Sequence, residues 1–197
     1  MSARVTKGGF TTEVLDWAAW IKTVDITTAS EEQVAVLEES GPHGKTSQYY
    51  RLLLHDAPVL RERSLLFNAI MYGPEGLPRA ERELGAAVES ILNRCVYCTS
   101  VHARFHLQLA KRPATLEGLF EHGLQAQLEP RERAIADFSA ALAQTPPTAD
   151  KTHIRALREV GFSDEDIADL ANSVAMFAWA NRLMLTLGEP CGNLPEA

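Results

Sequence analysis

Two cysteines separated by two residues are the feature of this sequence best suited to chemistry. They are Cys95 and Cys98, and His102 follows four positions after the second. If a helix begins near Cys95, positions three or four apart share one face, with β-carbons about 5–6 Å apart, within reach of a disulfide. Amide groups at a helix start stabilise a thiolate, and His102 could help to deprotonate Cys98. The spacing therefore predicts a redox dithiol in which Cys98, one turn from His102, has the lower pKa.

A carboxylate earlier in the chain could complete a proton relay with this pair. Glu83 precedes Cys95 by twelve positions, which would place it about 18 Å away in one straight helix. A break at Asn93 and Arg94 would fold the Glu83 helix back beside the cysteine helix, since Asn is tolerated in a left-handed helix end. A Glu–His–Cys relay is then geometrically feasible, although nothing in the spacing requires it.

The same residues allow two other interpretations. A zinc site could use Cys95, Cys98, His102 and His106, which form one stripe, but a single helix curves away from a tetrahedral ion and rarely supplies all four ligands. Alternatively, the cysteines are two small buried hydrophobes beside a surface histidine. The redox dithiol has the most support, and no metal or other cofactor is expected. The third cysteine, Cys191, is expected to be a free thiol without a role.

Helices are the elements that must position these residues. Helical periodicity extends almost throughout the chain and no strand is convincing, so the sequence predicts an all-α fold. We expect residues 1–45 to form an N-terminal helical extension, 46–190 the main domain and 191–197 a tail. The predicted helices cover about 12–22, 30–40, 47–55, 58–72, 79–93, 95–111, 114–122, 130–144, 150–160 and 163–187.

The last predicted helix is apolar on most sides. Such a helix is either buried all round or contacts the core on one side and another subunit on the other. Its apolar residues include Leu170, Val174, Met176, Phe177, Trp179, Leu183, Met184 and Leu185. We therefore expect a stable homo-oligomer.

Composition narrows the class of protein. The 197 residues are 46% hydrophobic and 23% charged, which is ordinary for one globular domain. The net charge of −7 disfavours a nucleic-acid partner, and a helix-turn-helix-like stretch at 157–171 carries acids where phosphates would lie.

No apolar run reaches the roughly 18 residues of a membrane span. Residues 1–10 lack the apolar region of a signal peptide, so we expect a cytoplasmic protein without a membrane partner.

The stretch from Glu83 to His102 resembles a known family signature. It has the form Glu-x(11)-Cys-x-Tyr-Cys-x(3)-His, which resembles the alkylhydroperoxidase AhpD-like branch of the carboxymuconolactone decarboxylase superfamily. The similarity covers about 48–188 and continues through 128–144, 157–167 and Asn181-Arg182, where it resembles the peroxidase-related members. The resemblance implies an AhpD-like helical bundle that usually forms a trimer or hexamer.

The resemblance also implies an activity, that of a thiol peroxidase. Cys98 would attack a peroxide and become a sulfenic acid, Cys95 would resolve it as a disulfide, and an external thiol or dithiol would reopen that bond. His102 and Glu83 match the proton-relay positions of the family.

One position departs from the family pattern. Tyr97 stands where the family has a relay histidine, and although Tyr is a poor base near neutral pH, it could orient a water or peroxide. The alternatives are a redox-sensing protein with a regulatory dithiol and, ranked lower, a lactone decarboxylase, because such enzymes generally lack the Cys-x-x-Cys pair.

Overall fold

Most of the chain folds into packed helices. The structure, a computed structural model, describes residues 4–195. The all-α class is confirmed, and nine of the ten predicted helices are present with ends within about two residues of the expected ones. They are α1 (Glu31–Glu39), α2 (Gln48–Leu53), α3 (Ala57–Tyr72), α4 (Arg79–Leu92), α5 (Val96–Ala110), α6 (Pro113–His122), α7 (Pro130–Ala143), α8 (Lys151–Glu159) and α9 (Asp164–Leu187).

Two short antiparallel ribbons interrupt the helical pattern. Strand β1 (Thr6–Lys7) pairs with β2 (Phe10–Thr11), and β3 (Asp16–Ala19) pairs with β4 (Gly188–Cys191). The helix predicted at 12–22 is therefore wrong, as is the expectation of no strand. Segments of two to four residues are too short to establish an alternating pattern, and β3 pairs with a segment near the other end of the chain. The predicted tail also begins inside β4.

Local sequence chemistry explains where the helices begin. The side chain of Asp56 accepts a hydrogen bond from the Val59 amide before α3, and Pro58 occupies the first turn, where its missing N–H costs nothing. Ser163 caps α9 in the same way, and three acids in the first turn complement the helix dipole. Side-chain caps and dipole-compatible residues therefore mark the starts of both helices.

Helix α4 lies at the centre of the bundle and packs against α5, α7 and α9. Gly85 lets α4 and α9 approach closely, because a β-carbon there would lie 2.7 Å from Leu170 Cδ1 and 3.3 Å from Val174 Cγ2. The largest core cluster joins these helices through Leu84, Val88, Ile135, Phe138, Leu170 and Val174. Every residue of α4 from 82 to 90 is buried, so the helix offers a rigid base for the side chains it carries.

A tight turn brings α5 back alongside α4, as the sequence predicts. Arg94 adopts a left-handed conformation with φ of 57°, and the Cys95 amide donates to the Ser90 carbonyl at 2.9 Å. The left-handed residue is thus Arg94 and not Asn93, whose conformation is still helical. The Arg94 guanidinium lies 5.0 Å from the centre of the Phe10 ring, a contact that favours this unusual backbone.

Helix α9 spans 24 residues and carries both buried and exposed apolar side chains. No helix within residues 4–195 is both long enough and apolar enough to cross a membrane.

Candidate active site

The two cysteines lie at the first turn of α5. Cys95 is the residue that precedes the helix and Cys98 lies one turn into it; both are free thiols. They are only 2% and 5% exposed. The side chains around them belong to other parts of the chain and form one cluster, which contains Trp17, Tyr49, Leu52 and Met184. The dithiol is therefore enclosed by α2, α9 and the β3–β4 ribbon.

The two thiols lie in one side-chain cluster and shift each other's pKa in opposite directions. The Cys98 side chain lowers the pKa of Cys95, and the Cys98 backbone amide adds to this against the effect of burial. The Cys95 side chain raises the pKa of Cys98 well above its ordinary value, as does burial. This direction is opposite to the one expected from the distance to His102. Cys95 precedes the helix, where unpaired amides of the first turn stabilise a thiolate.

Glu83 and His102 form a buried pair across the α4–α5 interface, as the relay hypothesis required. Glu83 Oε2 lies 2.6 Å from His102 Nδ1, and Arg79 Nε donates to the other carboxylate oxygen at 3.1 Å. The imidazole packs against Phe177 with ring centres 3.9 Å apart. Because a carboxylate only accepts hydrogen bonds, Nδ1 carries the proton here and Nε2 is the nitrogen that can accept one.

The relay does not reach the sulfurs directly. In the part of the chain that the structure describes, no hydrogen bond joins the His102 ring to Cys95 or Cys98. Proton transfer between them therefore needs a bridging water or a substrate oxygen. Tyr97 packs at the edge of the thiol cluster, and burial raises the pKa of its hydroxyl, so this side chain remains a neutral hydrogen-bond donor.

Two further residues near the thiols escaped the sequence analysis. Arg63 on α3 is 7% exposed and Tyr49 on α2 is 6% exposed. The Arg63 guanidinium lies 4.4 Å from the Phe67 ring centre, 5.2 Å from that of Tyr50 and 6.0 Å from that of Tyr49. Within residues 4–195 no carboxylate forms an ion pair with Arg63.

The polar atoms of these two residues are only partly satisfied. Arg63 Nη1 donates to the Tyr50 hydroxyl at 3.1 Å, but Arg63 Nε and the Tyr49 hydroxyl are buried without a partner. The sequence carried one signal for Arg63. It shares a helical face with the buried Leu60 and with Phe67, so a charge lies on an apolar stripe. For Tyr49 the sequence carried none.

The other interpretations of the cysteine region fit less well. No three His, Cys, Asp or Glu side chains among the described residues are grouped where they could hold a metal ion. His106, the fourth ligand of the zinc hypothesis, directs Nδ1 to the Ala80 carbonyl at 2.8 Å. His102 is 5% exposed and so is not a surface histidine. Cys191 is half-buried on β4.

Comparison with known proteins finds a matching family and similar folds. Residues 58–123 match the model of the carboxymuconolactone decarboxylase family. A peroxidase-related protein from Silicibacter sp. TM1040 is 30% identical with a TM-score of 0.63, over 73% of this chain and 78% of that one. A peroxidase-related protein from Ralstonia eutropha JMP134 with an alkylhydroperoxidase AhpD core is 26% identical with a TM-score of 0.73, over 86% and 90%.

A more distant likeness concerns the fold alone. The debrominase Bmp8 is 19% identical with a TM-score of 0.66, over 84% of this chain and 88% of that one. No curated protein matches the chain.

Proposed function

Because the chain belongs to the carboxymuconolactone decarboxylase superfamily, in its AhpD-like group, we propose that it is a thiol-dependent peroxide reductase. The observation that carries the proposal is the pair of buried free thiols, Cys95 and Cys98, in one cluster, on the helix that also carries His102 and its bond to Glu83. A dithiol supplies both a nucleophile and a resolving thiol.

The reaction begins with attack of the Cys98 thiolate on the terminal oxygen of a hydroperoxide. An S–O bond forms as the O–O bond breaks, so sulfur is oxidised by two electrons and the leaving alkoxide takes up a proton to become an alcohol. Cys95 then attacks the Cys98 sulfur, the OH group leaves as water, and a disulfide remains. An external thiol or dithiol reduces this disulfide and restores both thiols. We assign the reaction to the reducing cytoplasm, where such reductants are present.

Cys98 is the attacking sulfur although the resting charge favours Cys95. The Cys95 thiol and burial raise the pKa of Cys98, while the charge of Arg63 opposes this rise. Transfer of a proton from Cys98 to Cys95 therefore creates a Cys98 thiolate that the charge of Arg63 stabilises. Among the described residues no cation shifts the pKa of Cys95, which is set by the Cys98 thiol, by burial and by the Cys98 backbone amide.

His102 transfers protons in this reaction, and Glu83 supports it. His102 Nε2 exchanges a proton with the dithiol through a water or the peroxide, and the Glu83 carboxylate stabilises the imidazolium that forms. Tyr97, which stays protonated because burial raises its pKa, orients the bridging oxygen by donating a hydrogen bond.

Mass spectrometry after one equivalent of peroxide tests this assignment. We expect the intact chain to lose two hydrogens through a Cys95–Cys98 disulfide, and a dithiol to reverse the change. In Cys95→Ser the sulfenic acid on Cys98 should persist and be trapped by a dimedone-type reagent. In Cys98→Ser peroxide should leave Cys95 largely unreacted, because Cys95 lacks the adjacent cation.

The matched control is Cys191→Ser, which removes the cysteine on β4 and should behave like the intact chain. Trapping on Cys95 in Cys98→Ser, at the rate found for Cys98 in Cys95→Ser, would mean that the order of attack is wrong. No thiol loss with peroxide in the intact chain would refute the reductase itself.

One observation favours a second function, that of a redox sensor whose dithiol does not turn over. Both sulfurs are buried, which restricts the access of a protein reductant. Steady-state peroxide consumption with a small dithiol separates the two functions. A reductase consumes many equivalents of peroxide per chain, whereas a sensor that is not recycled stops after one.

A further inference from the structure

We propose that Arg63 and Tyr49 form a binding site for the peroxide oxygens, in which Arg63 Nε–H and the Tyr49 hydroxyl hold the oxygen that leaves when Cys98 attacks. The inference deepens the proposed reductase function and rests on it. It assigns a role to two residues outside the Glu-x(11)-Cys-x-x-Cys-x(3)-His signature.

The first support is the pair of donors without partners. Arg63 and Tyr49 are both more than nine-tenths buried, and Arg63 Nε and Tyr49 Oη have no hydrogen-bond partner. Buried polar groups in folded proteins are almost always paired, so each exception calls for an explanation. A ligand oxygen that arrives during the reaction would satisfy both donors.

The second support is position. Tyr49 belongs to the side-chain cluster that contains both sulfurs, and the Arg63 guanidinium lies over its ring, 6.0 Å from the centre. The charge of Arg63 acts on Cys98. Tyr49 and Arg63 therefore belong to the surroundings of the sulfur that is proposed to attack.

The third support is a buried cation without an ion-pair partner. Arg63 contacts aromatic faces and the Tyr50 hydroxyl, and within residues 4–195 no carboxylate pairs with it. A buried cation without a counter-anion is costly, and an anion that forms beside such a cation is stabilised by it. The anion that this reaction creates is the leaving alkoxide or hydroxide.

The chemistry of the step matches these donors. As the Cys98–oxygen bond forms and the O–O bond breaks, negative charge develops on the departing oxygen before it is protonated by the proton that the dithiol releases. Donors fixed in advance stabilise that charge more effectively than water does. Burial raises the pKa of Tyr49, against the charge of Arg63, so its hydroxyl keeps its proton and acts only as a donor.

The site is enclosed, and this limits the size of the substrate that can reach it. Arg63, Tyr49 and Cys98 are each at most 7% exposed, so the peroxide that reaches them is small. The inferred substrates are hydrogen peroxide and short alkyl hydroperoxides.

The test uses a chain in which Cys98 is the sole cysteine, made by Cys95→Ser with Cys191→Ser. Arg63→Lys and Tyr49→Phe are added separately, and two rates at Cys98 are compared: oxidation by hydrogen peroxide and alkylation by iodoacetamide. Alkylation releases iodide, which needs no donor. We expect peroxide oxidation to fall about 100-fold in each variant, the lower end of the loss for one oxyanion donor, and alkylation to change less than twofold.

Matched controls use the same substitutions elsewhere. Arg61→Lys lies on the same helix with its ion pairs at the surface, and Tyr72→Phe removes an exposed phenol. Both should leave the two rates unchanged. Tyr49→Phe removes one unpartnered oxygen and keeps the ring, so it carries the test alone if Arg63→Lys does not fold.

Two results overturn the inference. If both rates fall together and the pH midpoint of alkylation moves, Arg63 and Tyr49 act through the thiolate and not on the peroxide. If neither rate changes, the two residues have no part in the reaction. Peroxide that fails to oxidise Cys98 in the parent chain would instead refute the proposed attack by Cys98.

Discussion

The Glu83 carboxylate is buried, and each of its two oxygens accepts a hydrogen bond. One accepts from Arg79 and the other from His102. A buried carboxylate with two charge-assisted partners is held in one place and holds the imidazole in turn. The Glu83 carboxylate therefore fixes the orientation of the His102 ring, which fits the proton-transfer role proposed for His102.

Substitution of His102 tests this role. We expect His102→Ala to slow peroxide oxidation of the dithiol by about 100-fold, the lower range for loss of a general base. Glu83→Gln should slow it less, because a neutral amide still orients the ring but no longer stabilises its charged form. Stopped-flow oxidation rates measure both effects.

The control is His122→Ala, which removes an exposed histidine and should leave the rate unchanged. Circular dichroism shows whether each variant keeps its helices. A folded His102→Ala protein with the rate of the parent chain would exclude His102 from the mechanism.

Residue spacing predicted which side chains meet but not how they share protons. The offset from Glu83 to His102 allowed a pair across a helix turn without requiring one, and the structure contains that pair. The relative pKa of Cys95 and Cys98 depends mainly on the effect of each thiol on the other and on their burial, and a count of turns from His102 does not reveal these. The unpartnered donors of Tyr49 and Arg63 come from helices distant in sequence, so no local motif contains them.

At the scale of elements, the β3–β4 ribbon covers the dithiol. Trp17 on β3 packs in the cluster of both thiols, and its indole Nε1 donates to the Met184 carbonyl at 3.2 Å. Gly188 on β4 makes room for it, because a β-carbon there would lie 2.2 Å from Trp17 Cζ2. The ribbon is thus fitted closely over the thiols and limits which reagents reach them.

Removal of the Trp17 side chain should open this cover. We expect Trp17→Ala to lower the free energy of unfolding by about 3–5 kcal/mol, the usual loss for a buried Trp. It should also raise the rate at which a bulky aromatic disulfide reagent modifies the dithiol. Trp17→Phe, which keeps most of the apolar contact, should do less of both. Urea unfolding and the rate of thiol modification give the two readouts.

A second tryptophan on the same segment supplies the control. Trp20 is 60% exposed, so Trp20→Ala should change neither the stability nor the modification rate by much. If Trp17→Ala and the parent chain react with the bulky reagent at the same rate, the ribbon does not shield the thiols.

The helices were predictable where caps and periodicity coincide, whereas the ribbon was not. Ser163 precedes the first residue of α9 and Gly188 follows the last, and both signals are local. The residues around Trp17 contain enough apolar positions to imitate a short amphipathic helix. Their actual partner is a strand near the other end of the chain, Asp16 lying opposite Cys191, and a pairing over that distance leaves no local pattern.

At the scale of the whole molecule, two neighbouring helices expose large apolar side chains. Helices α3 and α9 pack against each other through Phe67 and Phe177, with ring centres 6.0 Å apart. On their outer sides they expose a set of apolar residues, which are Val59, Leu65, Leu66, Trp179 and Leu185. Apolar side chains that form one exposed patch are typical of a protein interface.

We propose that a second copy of the chain covers these side chains, as the apolar excess of α9 predicted from sequence. Light scattering at micromolar concentration should then give a multiple of the 21.7 kDa chain mass. Leu66→Glu should shift the mass toward that of a single chain, because an unpaired carboxylate would be buried at the interface.

Val14→Glu adds the same charge at an exposed apolar site on the N-terminal segment and should leave the mass unchanged. A parent chain that scatters as a 21.7 kDa particle would rule out the oligomer. A multimer unaffected by Leu66→Glu would place its interface away from α3.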